Sequence, residues 1–87
     1  MYWVNVRVIW GGNERVIKAL RYARVPVAGD QIELMPKVFA LVSSVVLYSH
    51  LVDSGPVALA DVDAHTIQDY ASRGSAHFLK NGWDLTK

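Results

Sequence analysis

The segment Asp61-Val62-Asp63-Ala64-His65 sets two carboxylates and an imidazole at alternate positions. On a continuous strand, side chains two apart share a face, so Asp61, Asp63 and His65 would converge on a divalent cation. His50 and Asp53 would join them from a neighbouring strand end. A plainer assignment competes, in which Asp61 ends a strand, Asp63 caps a helix and His65 is solvated on its first turn. No recurring ligand spacing, such as paired His on one helix face, supports the metal. A metal-dependent function therefore ranks third, and no cofactor is expected.

Nucleophilic chemistry has its raw materials but no pattern. Ser43, Ser44, Ser49, Ser54, Ser72 and Ser75 stand beside His50, His65 and His77, without a Gly-x-Ser-x-Gly elbow to single one out. His77, next to Phe78, reads as a surface imidazole on a helix. Gly11-Gly12 follows a strand-like run but belongs to neither a dinucleotide nor a Walker fingerprint, so it reads as a hairpin turn. A chain of 87 residues also has little room for a substrate pocket inside its own core. The expectation is a non-enzyme.

Charge is unevenly spread. Residues 1–37 carry six Lys/Arg against three Asp/Glu, and residues 38–87 carry three against five, for a net charge of +1. That total excludes whole-molecule commitment to nucleic acid or anionic membrane. Arg7, Lys18, Arg21 and Arg24, with Trp3 for stacking, form the second-ranked reading, a single-stranded nucleic-acid site. The absence of Cys excludes disulfides, thiolate zinc sites and a cysteine nucleophile. With 52% hydrophobic and 20% charged residues, the chain is too apolar to be disordered.

The elements that must position these residues follow from periodicity. Residues 2–10 alternate, with Tyr2, Val4, Val6, Val8 and Trp10 on one face and Trp3, Asn5, Arg7 and Ile9 on the other. Residues 14–24 read as helix by their apolar arc. They read as strand by the preceding turn and the β-branched Val16-Ile17 pair, and we favour the strand. Gln31–Leu34 alternates up to Pro36. Val38–Leu51 is apolar on both faces, which predicts a strand buried on two sides. Asp53-Ser54-Gly55-Pro56 is a turn before a return strand over 57–62. From Asp63 the period turns helical through Ile67, Tyr70, Ala71, Gly74 and Phe78. Gly74-Ser75 divides it into two short helices, with Ser75 capping the second. Asn81-Gly82 stops the last helix, and Trp83 and Leu85 fold back as apolar anchors.

The run Arg24-Val25-Pro26-Val27-Ala28-Gly29-Asp30-Gln31-Ile32-Glu33-Leu34, followed by Val42–Val46 and His50, resembles small uncharacterised bacterial β-barrel proteins. Those carry a Val-Pro-x-x-Gly-Asp-x-Ile segment leading into a strand that ends near a His. The resemblance implies architecture alone, and a strand over residues 15–23.

These readings combine into a single α+β domain over 1–87, mainly β in 1–62 and mainly helical in 63–87. A small antiparallel, barrel-like sheet of about five strands carries a C-terminal helical segment packed against it. If one face of the first strand packs on that helix, Trp3 and Ile9 are left for a partner. The expected function is a non-catalytic protein–protein interaction module that self-associates into a homo-oligomer, through edge strands or the Trp3/Ile9 face. The longest uncharged stretch, Val38–Val52, falls short of the roughly 20 apolar residues a spanning helix needs. The alternating N-terminal run is unlike a secretory h-region, so a cytoplasmic protein is expected.

Overall fold

The computed structural model describes residues 1–12, 14–49, 55–67 and 74–86. Its strands are β1 (Tyr2–Ile9), β2 (Arg15–Tyr22), β3 (Gln31–Met35), β4 (Val38–Leu47), β5 (Ala58–Asp63) and β6 (Asp84–Thr86), with one short helix, α1 (Ser75–Leu79). They form a single curled half-barrel sheet in the order β3-β4-β5-β1-β2-β6.

β1 behaves as its alternation demands: Val4, Val6 and Val8 are fully buried and Trp10 nearly so, while Trp3 on the opposite face stays 37% exposed. Gly12, at φ +76°, turns the chain, and the Trp10 N–H donates to the Glu14 carbonyl at 3.1 Å to close the hairpin. Within the ambiguous segment 14–24, Arg15–Tyr22 is a strand. β2 pairs with β1 along its whole length, from Ile9 opposite Arg15 to Tyr2 opposite Tyr22. Tertiary pairing overrides the helical arc because β1 would otherwise leave a row of backbone groups unpaired.

β4 is not buried on both faces. Val38, Ala40 and Val42 point into the core. A bulge then lets Val42 face Val62 while Ser44 faces Asp61, with Ser43 inserted between. One extra residue swaps the faces, so Val45 turns inward and Val46 outward, 55% exposed. The double-faced apolar pattern is thus a phase shift along one strand. The Ser43 hydroxyl donates to the Asp61 carbonyl at 3.0 Å, across the same bulge.

The C-terminal quarter departs most from expectation. Six strands replace about five, β1 and β5 run parallel, and among the described residues of 63–87 only Ala64–Thr66 and Ser75–Leu79 are helical. Asp63 does cap, accepting the His65 N–H at 2.8 Å, but it starts a single 3₁₀ turn, Ala64–Thr66. Tyr70 and Ala71 lie outside the described residues. Gly74, not Ser75, occupies the N-cap of α1. After α1 the chain reverses at Gly82, φ +88°, buries Trp83, and lays β6 along the free edge of β2 at Arg15–Ile17. Leu85 does not anchor. It pairs with Val16 at the rim of the sheet and remains 64% exposed.

The core gathers residues from β1 to β5, from α1 and from Trp83 before β6 into one cluster. At its heart Phe78 of α1 meets Trp10 edge-on at 5.4 Å and Trp83 edge-on at 5.2 Å. The curl is drawn together at the far side, where the Tyr22 hydroxyl donates to the Glu33 carbonyl at 2.9 Å. This bond joins β2 to β3, strands that are not neighbours in the sheet order. The loop between them is organised by Asp30, whose carboxylate accepts from Arg24 at 2.8 and 3.1 Å and from the Val27 N–H at 2.9 Å. Those contacts hold the Asp30 carboxyl below the usual carboxylate range.

Burial, reinforced by the charge on Glu33, pushes the Tyr22 phenol well above its ordinary value. A raised acid favours the folded state below its unfolded pKa of about 10 and loses that advantage as pH climbs toward the folded value. Urea unfolding should therefore show wild type about 1 kcal/mol more stable than Tyr22→Phe at pH 8, from the hydrogen bond, with the gap closing at pH 11. An unchanged gap would disprove the tether.

Candidate functional site

The convex side of the sheet turns away from the core, and cross-strand register orders it in rows. Trp3 stands beside Arg21. Next come Val46, Leu59, Asn5 and Ala19, then Ser44, Asp61, Arg7, Ile17 and Asp84, and last Asp63, Ile9, Arg15 and Thr86. Alternation puts each of these outward because its chain neighbours, Val4, Val6, Val8, Val16, Ala58, Ala60 and Val62, are buried.

At the centre, Arg7 meets Asp61 in a two-pronged pair, Nε to Oδ1 at 2.8 Å and Nη2 to Oδ2 at 2.9 Å. The side chains are 31% and 15% exposed. Donating these hydrogen bonds to Asp61 raises the Arg7 guanidinium above its ordinary value, outweighing the opposing effect of burial. Ser44 reaches the same carboxylate at a long 3.5 Å. Beside them Asn5 donates to the Tyr48 hydroxyl at 3.0 Å. The Arg21 guanidinium lies 5.5 Å from the centre of the Trp3 ring, within cation–π range. Ile9, Ile17 and Leu59 are half-buried between these polar groups.

Trp3 and Ile9 thus share the outward face, and Trp10 packs inward on α1. The four basic residues do not share a surface. Arg7 is committed to Asp61 and Arg24 to Asp30. Lys18 lies on the core-facing side of β2, where its ammonium donates to the Asn81 carbonyl at 3.1 Å. Arg21 alone of the four stacks on Trp3.

No family model, curated protein or solved structure matches this chain.

The acidic segment also disperses. Strand geometry ends at Asp63, so His65 enters the 3₁₀ turn and leaves the line of Asp61 and Asp63. Asp61 holds Arg7, and Asp63 spends Oδ1 on its cap. Among the described residues no group of three His, Asp or Glu is placed to hold a metal ion, while His50 and Asp53 lie outside the described residues. Ser43 and Ser44 are turned to Asp61, and His77 packs edge-on near Phe78, ring centres 6.2 Å apart. Among the described residues no helix is long and apolar enough to cross a membrane.

Sequence reading missed Asp61 as the partner of Arg7. The two lie 54 residues apart, and only the parallel register of β1 and β5 brings them opposite one another. It also missed Ile17 as a face residue, because β2 had two competing periodicities, and Leu59, which only the register of β5 on β1 sets beside Asn5.

Proposed function

We propose that this chain is a small, non-catalytic interaction module that binds a second copy of itself through the outer face of β5, β1 and β2. The observation that carries the reading is the composition of that face. Trp3, Ile9, Ile17, Leu59 and Val46 alternate with Arg7, Arg15 and Arg21 and with Asp61, Asp63 and Asp84. A polyanion such as nucleic acid selects for excess positive charge, whereas three cations balanced by three carboxylates suit a surface that must complement itself. The edges favour the face as well. β6 offers three residues and β3 is tethered by Tyr22, so neither presents a long free ladder.

The resemblance of Arg24–Leu34 to small bacterial β-barrel proteins belongs to the same proposal, as does a cytoplasmic setting, where a chain without Cys forgoes nothing in reducing conditions. Sedimentation equilibrium tests the association. The weight-average mass should rise from the 9.7 kDa of one chain toward twice that value with concentration. Ile17→Glu, which sets a carboxylate between Arg7 and Asp84, should weaken association about tenfold or more while the fold melts as before. A monomer at every concentration, or an unimpaired variant, would refute the reading.

A further inference from the structure

An open cleft of about 270 Å³ lies at the end of this face, where the parallel strands β1 and β5 finish side by side. Its lining is part apolar, Ile9 and Trp10 beside the fully buried Val62, and part polar, Asp63 and Ser43 with His65. We propose that this cleft binds a small organic ammonium ion carrying a flat apolar body.

The chemistry follows from which hydrogens are already committed. The Ser43 hydroxyl donates to the Asp61 carbonyl at 3.0 Å, which leaves its lone pairs as what it offers a ligand. Asp63 accepts the His65 N–H on Oδ1 at 2.8 Å, and its second oxygen is again an acceptor. Two acceptors, one of them a carboxylate, call for a ligand rich in donors and positive in charge. An ammonium group brings three N–H donors. An anion meets the Asp63 carboxylate at this end of the 3₁₀ turn in place of open N–H groups. The apolar part of the lining takes the remainder of the ligand, and the volume, just under the roughly 300 Å³ of the smallest common ligand pockets, limits it to about one ring. Gly11 lines the cleft with empty space where a Cβ would stand, nothing lying within 4 Å, so the mouth is open there.

The cleft shares Ile9 and Asp63 with the association face, so the experiment includes a variant impaired in association. Benzylammonium, benzyl alcohol and phenylacetate, matched in size, are titrated into wild type and into Ile17→Glu, followed by amide and indole NMR shifts. Benzylammonium should shift Gly11 and the Trp10 indole saturably in both proteins, with benzyl alcohol weaker by about tenfold and phenylacetate inert. Asp63→Asn keeps a capping side chain but removes the charge, and should weaken benzylammonium about tenfold. Gly11→Leu, at a position free of positive φ, should fill the mouth and abolish binding. Absence of saturable shifts, equal binding of phenylacetate, or indifference to Asp63→Asn would each overturn the proposal.

Discussion

Phe78→Ala is expected to cost about 3–5 kcal/mol, the range for removing a fully buried phenylalanine, and to lower the melting temperature by about 15–30 °C. Phe78 has no exposed surface, and its ring stands edge-on between Trp10 of the first hairpin and Trp83 after Gly82. Removing it empties the joint that holds α1 and the last strand against the sheet, and both aromatic pairs go with it. Small domains have only about 5–15 kcal/mol in total, so the variant should be partly unfolded at 37 °C. Phe78→Leu should retain much of the loss. Urea denaturation of the two variants checks this, and a cost under 1 kcal/mol for alanine would mean that the C-terminal quarter does not seal the core.

Arg7→Ala should cost about 2 kcal/mol, between the roughly 0–1 of an exposed pair and the 3–5 of a buried one. Truncating arginine strands a carboxylate that is 15% exposed on a short, fixed side chain. Asp61→Ala should cost less, because the longer Arg7 side chain, 31% exposed, can extend its head into water. The double replacement Arg7→Met/Asp61→Leu should lie near wild type, since it removes both charges and keeps the volume. Chemical denaturation at concentrations where the chain is a monomer measures all three without a contribution from association. Equal costs for the two alanine variants would show that solvent already screens the pair.

These residues also mark how far sequence reading reached. β1 was plain because valine on alternate positions fits a half-buried strand and nothing else. β2 was decided by its neighbour, since Val16, Ile17, Ala19 and Leu20 satisfy a helix arc as well as a strand. β4 misled because one inserted serine exchanged its faces, and Ser43-Ser44, the polar pair inside an apolar run, was the sign of it. β6 left no periodic trace in three residues; the unpaired edge of β2 calls for it, and that edge exists only once the sheet is built. On the candidate face, Trp3 and Ile9 followed from β1 alone. Asp61 opposite Arg7 did not, because a parallel pairing between distant strands is a property of the closed sheet.

Intermolecular NOEs bear most directly on the central claim, that the outer face of β5, β1 and β2 receives a second copy. In a mixture of isotope-labelled and unlabelled chains, isotope-filtered spectra should connect the methyl groups of Ile9, Ile17 and Leu59 in one chain to the same face of its partner, and to the Trp3 ring. Filtered spectra without cross-peaks from these residues, in a sample whose mass exceeds one chain, would place the interface elsewhere and contradict the account.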